Sequence, residues 1–320
     1  MKAEGSVWAW GSNEFGQLGD GTTIDRNTPV RVGELTDIIA IAAGYQHGLA
    51  LKGDGTVWAW GRNQDGQLGA DTTVLGSMVD LARPNQVTAL SGITATGAGR
   101  WHSLAVGGDG TVWTWGYNGD GQLGTASTEL CAERDCSSTP LAISLPERAV
   151  AVSGGIAHSL ALAADGTVWA WGDNAHGQFG DGSTTSSRTP VKVRALRGAI
   201  AIAAGALHSL ALKWDGAVWA WGDNRDGAVG DGTTDDRSTP VKLAHPAGVT
   251  SIAAGLRHSL ALKADGTAWA WGWNYHGQLG NGDTGTFAAQ HPTRELVVGL
   301  NGAWTISAGD EHSLALRAAP

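Results

Sequence analysis

Residues 205–232 read GALHSLALKWDGAVWAWGDNRDGAVGDG, and close variants of this stretch occur six times in a chain of 320 residues. The unit has the form G-x-x-H-S-L-A-L-K-x-D-G-T-V-W-A-W-G-x-N-x-x-G-Q-L-G, followed by a polar loop, Thr-Pro-Val and Ala-Ile-Ala-Ala-Gly. Its histidines fall at His47, His102, His158, His208, His258 and His312, and the glycines closing Trp-x-Trp-Gly at Gly11, Gly61, Gly116, Gly172, Gly222 and Gly272. The spacing of 50 to 56 residues belongs to propellers or solenoids.

Periodicity within the unit chooses between them. In HSLAL the leucines alternate with Ser and Ala, and in TVWAW the tryptophans stand at i and i+2, the period of a strand. Asp-Gly separates the two pieces in five copies, a tight-hairpin signal because the turn needs positive φ. Ala-Ile-Ala-Ala-Gly supplies a third short strand and Thr-Pro-Val a fourth. Proline lacks the donor that a central ladder uses, so Pro29, Pro140, Pro190 and Pro240 place the fourth strand at a sheet edge. Four short strands per unit describe a propeller blade. Twelve of the 16 tryptophans lie in the repeated pairs, where large side chains of one blade nest against Ser, Ala and Gly of the next. Trp101, Trp214, Trp273 and Trp304 stand outside that scheme.

WGxNxxGQLG joined by a hairpin to GxxHSLAL resembles the regulator of chromosome condensation repeat, a β-propeller repeat, over nearly the whole chain. The resemblance implies an all-β fold. Members of the family include a nucleotide exchange factor for a small GTPase, a plant ultraviolet-B photoreceptor and a bacterial β-lactamase inhibitor. Those have seven blades, whereas six repeats are counted here. The expectation is a six-bladed β-propeller, one domain over residues 1–320. Its ring would be closed by pairing of residues 6–10 with 312–316, since the end HSLALRAAP and the start MKAEGSVWAW together read as a hairpin.

Charged residues make up only 16% of the chain and no run of 18 apolar residues exists, so no membrane-spanning helix is expected. A net charge of −9, with no cluster of Lys and Arg, argues against nucleic acid as a partner. MKAEG has no apolar stretch and does not read as a signal peptide.

The segments after GQLG vary most, with long versions at residues 69–84, 124–140 and 280–292. Loop length on a rigid scaffold is where specific function is carried, although solvated insertions without function are as common. Cys131 and Cys136, the two cysteines of the chain, lie in the second of these. They read as a candidate disulfide pinning an exposed loop, which favours a secreted or cell-surface location; the competing reading is a reduced cytosolic pair. No metal and no cofactor are expected. The repeated histidines are expected to hydrogen-bond backbone at strand starts. The Asp-Gly and WGxN residues read as turn chemistry, with Asp20, Asp181 and Asp231 as weak calcium candidates.

Function should sit where the repeats disagree. Between Gly and His these positions include Tyr45-Gln46, Arg100-Trp101 and Arg257; after WG they include Phe15, Arg62, Tyr117, His176, Arg225, Trp273, Tyr275 and His276. In the family the resemblance places both sets on one face. Tyr, Trp and Arg anchor protein interfaces, so Tyr45, Gln46, Arg62, Arg100, Trp101, Tyr117, Arg257, Trp273 and Tyr275 are the candidate partner-binding residues; the competing reading is an ordinary polar rim. No converging set of catalytic groups recurs at a unique place. The expectation is a non-catalytic scaffold, monomeric or weakly dimeric, binding a protein. Alternatives are a tryptophan-based light sensor, a sugar-binding propeller, a hydrolase using the central channel and an exchange-factor or inhibitor-type regulator. For the light sensor, Arg100-Trp101, Arg257 and Trp273 match isolated parts of the family pattern, while Ile156-Ala157 and Ala206-Leu207 depart from it.

Overall fold

The computed structural model describes residues 5–69, 78–127, 129–244, 248–283 and 290–317. Among them every regular element is a strand, and none is a helix long and apolar enough to cross a membrane. The repeat at 199–242 shows the plan. Ala199–Ala204, His208–Lys213, Val218–Gly222 and Arg237–Lys242 lie side by side in that order, all antiparallel. Sheets of the same order occupy 38–86, 149–192 and 249–296, and that at 93–143 adds a fifth strand, Glu129–Cys131, outside Arg134–Ile143.

Two half-sheets remain: Trp8–Gly11 with Arg26–Arg31, and Ala303–Ala308 with Ser313–Arg317. The closing ladder expected between residues 6–10 and 312–316 is not among the described ladders. Trp10, Leu314 and Leu316 are 56%, 50% and 51% exposed. By contact density the chain falls into two compact units, Met1–Ser159 and Leu160–Pro320.

Local chemistry accounts for the turns. Gly216 takes φ 76° and its N–H bonds to Lys213 O, while Asp215 accepts from Ala217 N–H at 3.1 Å. Where threonine follows, its hydroxyl also donates, as from Thr267 to Asp265. Asn224 of WGxN closes its loop from both ends, accepting from Val229 N–H at 2.9 Å and donating to Thr233 O at 2.9 Å. Pro190 and Pro240 lie on outermost strands, as proline requires. Pro140 differs: its strand is flanked by Glu129–Cys131 at residues 134–136, yet Pro140 itself sits in a register irregularity between Ser137 and Leu141, where the ladder is interrupted.

The second and third strands are sealed on both faces, which explains why HSLAL combines large and small residues. Leu210, Leu212, Val218, Ala220 and Val229 form one cluster with Ala261 and Trp271 of the following repeat; Leu49, Leu51 and Leu68 do the same with Trp115. In the complete sheets the second tryptophan of each pair is the nested one, while in the half-sheet Trp10 is more exposed than Trp8. Trp115, Trp171, Trp221 and Trp271 are fully buried, whereas Trp58, Trp113, Trp169, Trp219 and Trp269 are half-buried.

A polar seam joins repeat to repeat. The Gln178 carbonyl accepts from Trp221 Nε1–H at 2.6 Å and from the Ser209 hydroxyl at 2.9 Å. Ala228 O receives the same two donors from Trp271 and Ser259, so the acceptor is main chain and the change from Gln to Ala costs nothing there. Four of the histidines reach forward: His47 to Ser103, His102 to Ser159, His208 to Ser259 and His258 to Ser313, at 2.9–3.0 Å. The histidines are structural, as expected, but their side chains meet serine rather than backbone. Since Ser103 and Ser159 give their protons to carbonyls, His47 and His102 must donate from Nε2, leaving their Nδ1 atoms without a hydrogen-bond partner. Desolvation keeps the rings neutral, lowering His47 to about 4 and His102 to about 3. The glycine three residues earlier is obligatory, because a Cβ at Gly205 would stand 2.1 Å from His208 Cε1.

Candidate functional site

The residues between Gly and His occupy a tight turn, closed by bonds such as Gly44 N–H to His47 O. A second bond then ties each turn to the next hairpin: Arg62 N–H to Gln46 O, Tyr117 N–H to Trp101 O, Trp273 N–H to Arg257 O. These bonds place the two variable sets next to each other, pair by pair.

In the first unit the side chains link further. The Arg100 guanidinium lies 4.6 Å from the Tyr45 ring centroid and 4.5 Å from that of Trp101. Trp101 meets Tyr117 edge-on at 5.8 Å, and Arg134 lies 5.6 Å from the Tyr117 centroid. Arg62 stacks 5.0 Å from Phe15 and donates to Gln46 Oε1 at 2.6 Å and to Gln64. Tyr45 is 47% exposed, while Arg62, Arg100, Trp101 and Tyr117 are half-buried. Such stacking fixes the long side chains.

Two members were not read from the sequence, Asp65 and Arg134. Asp65 is sealed, 1% exposed, and pairs with Arg134 at 2.8 Å. Burial raises the Asp65 carboxyl, opposed by Arg134 and Arg62. Asp also occurs at the matching positions 120 and 226, so the signal existed; what singles out Asp65 is Arg134 arriving from the inserted hairpin. Cys131 and Cys136 bridge that hairpin, with Cα atoms 5.7 Å apart. Between them Ala132 and Glu133 take φ 48° and 65°, uncommon for residues other than glycine. Insertions 69–84 and 280–292 lie in large part outside the described residues.

In the second unit, Arg257 lies 5.7 Å from the Trp273 centroid, and Trp273 stacks on Tyr275 at 5.8 Å with 13° between planes. His276 packs edge-on against both. Here the cations are neutralised: Arg257 by Asp226 at 3.4 Å and Arg225 by Asp223 at 2.8 Å.

The calcium candidates are otherwise engaged. Asp20 accepts from Thr22 and Arg26 and Asp231 from Thr233 and Arg237; Asp181 accepts from Ser183. Burial alone would raise Asp20, yet the bonds from Thr22 and Arg26 bring it down to about 2. Among the described residues, two groups have donor atoms close enough for an ion, Glu129 with Cys131 and Cys136, and His176 with Asp223 and Asp236. The first has its thiols in the disulfide, and Asp223 of the second is held by the Arg225 fork.

Comparison with known proteins decides the family. The regulator of chromosome condensation (RCC1) repeat matches at residues 4–51, 54–106, 109–162, 165–212, 215–262 and 265–316. The chain belongs to the RCC1 repeat family. The fold is that of an RCC1-type β-propeller: the crystal structure of Prp20p from Saccharomyces cerevisiae, described with its binding properties to Gsp1p and histones, superposes with a TM-score of 0.82. It is 24% identical, over 99% of this chain and 80% of that one. Human WBSCR16 gives a TM-score of 0.81 at 25% identity, over 97% of this chain and 86% of that one. Among sequence relatives, the ultraviolet-B receptor UVR8 of Arabidopsis thaliana is 35% identical over 56% of this chain and 40% of its own length. The probable E3 ubiquitin-protein ligase HERC6 of Homo sapiens is 33% identical over 58% of this chain and 18% of its own length.

Proposed function

We propose that this chain is a non-catalytic scaffold that binds a protein partner through Tyr45, Gln46, Arg62, Arg100, Trp101 and Tyr117. The observation that carries the reading is the unbroken side-chain contact from Tyr45 through Arg100 and Trp101 to Tyr117, on turns whose constant residues are all explained by the fold. Pre-fixed aromatic and arginine side chains lose little entropy on binding and make interface hot spots. Two structures of one relative support a protein as partner: yeast Prp20, described with its binding of Gsp1p and histones, and the same protein solved bound to Kap60. Arg257, Trp273 and Tyr275 of the second unit form an auxiliary surface in the same reading, muted by Asp226.

Affinity purification from the source organism tests it. Partners captured by the native chain should be lost when Arg100→Ala and Trp101→Ala are combined, and retained with Leu207→Ala. Retention of every partner by the double variant contradicts the proposal.

A further inference from the structure

We propose that the segment seated on this surface is acidic: a peptide stretch of the partner with two carboxylates flanking an apolar or aromatic side chain, one carboxylate for Arg62 and one for Arg100. The inference rests on the protein-binding reading above and names the chemistry of what is bound.

Five loop arginines have a carboxylate of their own: Arg26 with Asp20, Arg134 with Asp65, Arg225 with Asp223, Arg237 with Asp231 and Arg257 with Asp226, at 2.6 to 3.4 Å. Among the described residues, Arg62 and Arg100 have no carboxylate at ion-pair distance. Arg62 is held by the Phe15 ring and the neutral amides of Gln46 and Gln64, with the buried Asp65 close enough to feel its charge. Arg100 is clamped by rings, and its Nε is buried with no hydrogen-bond partner. What sets Arg62 and Arg100 apart is that both are held in place by rings beside the exposed Tyr45 with no carboxylate at ion-pair distance.

Their setting defines the ligand. Both guanidiniums flank the dipeptide Tyr45-Gln46, one through the Tyr45 ring and one through the Gln46 amide, so a ligand reaching both must cross the exposed Tyr45 ring. A stacked guanidinium keeps its in-plane fork, which matches a carboxylate. Polyphosphate backbones draw affinity from many clustered cations; here there are two, with Asp65 and Asp120 close by as charges acting on Tyr117. That balance favours carboxylates over nucleic acid.

The probe is a fluorescein-labelled peptide of alternating Glu and Phe, measured by anisotropy on the full chain beside its Gln-for-Glu counterpart and single-stranded oligothymidylate. The Glu peptide should bind, the Gln peptide about tenfold or more weakly, and Arg62→Gln or Arg100→Gln should each weaken the Glu peptide by about tenfold. Arg100→Lys should recover only part of the loss, because charge returns without the fork. Arg237→Gln, whose guanidinium is paired with Asp231 outside the candidate surface, should change nothing. Equal binding of the Glu and Gln peptides, indifference to Arg62→Gln and Arg100→Gln, or tighter binding of oligothymidylate would each overturn the inference. If the peptide fails while native partners still depend on Arg100 and Trp101, the acidic-segment inference alone falls; if native partners ignore those residues, the surface itself is misassigned.

Discussion

The turns around Arg100 and those around Arg257 are built by the same backbone bonds yet end in opposite electrostatic states. In both units the residue after Trp-Gly donates its N–H to the carbonyl before the histidine, as Tyr117 does to Trp101 and Trp273 to Arg257. In both, an arginine lies over a tryptophan. Arg257 is answered by Asp226 within its own unit, whereas Arg100 lies between two rings with no anion. The frame therefore sets where side chains stand, and the residues within one repeat of each other decide whether a cation is spent internally or left for a partner.

The largest effects should come from the shared frame and be alike in both units. Trp115→Ala and Trp271→Ala each empty a sealed nest and should cost about 3–5 kcal/mol, read from urea midpoints. A much smaller loss for one of them would break the claim that the units share one packing scheme.

Next comes the pair that the first unit has and the second lacks in sealed form. Arg134→Ala leaves the buried Asp65 without its counter-charge and should cost about 2–3 kcal/mol. Arg257→Ala acts on a half-open pair and should cost under about 1 kcal/mol. Equal losses would remove the distinction between the sealed and the open pair.

Acid should act on both units together. His47, His102 and His258 are held neutral by burial, at about 4, 3 and 4 against an ordinary 6.5. Below pH 6.5 the unfolded chain takes up protons that the folded rings refuse, so stability falls as pH drops from about 6.5 toward 4. Each histidine contributes a slope of about 1.4 kcal/mol per pH unit. Denaturant midpoints across that window check it, and His102→Gln should flatten the slope.

Trp214→Ala should have the smallest effect, within about 0.5 kcal/mol, since that ring is 76% exposed.

The repeat, the hairpins and the strand order were legible because each rests on chemistry local in sequence: Asp-Gly turns, Pro at an edge, tryptophans two apart. The seam of His, Ser and the Gln178-type carbonyl was only half legible, since its partners come from neighbouring repeats some 31 to 57 positions away. The candidate surface was readable as a set of variable residues, including Arg100, Trp101 and Tyr117. The anchor beneath it was not, because Asp65 looks like any turn aspartate until Arg134 is placed over it by the hairpin inserted at 129–136.

The most direct test measures the affinity of a captured partner for the native chain, for Arg100→Ala with Trp101→Ala, and for Arg257→Ala with Trp273→Ala. An aromatic hot spot is worth about 2 kcal/mol or more, so the first double variant should bind about thirtyfold more weakly or worse. The second should lose less than about threefold, and both should keep the native thermal midpoint within a few degrees. Native affinity in the Arg100/Trp101 variant, or an equal loss in both, would contradict the assignment of the partner surface to the first unit.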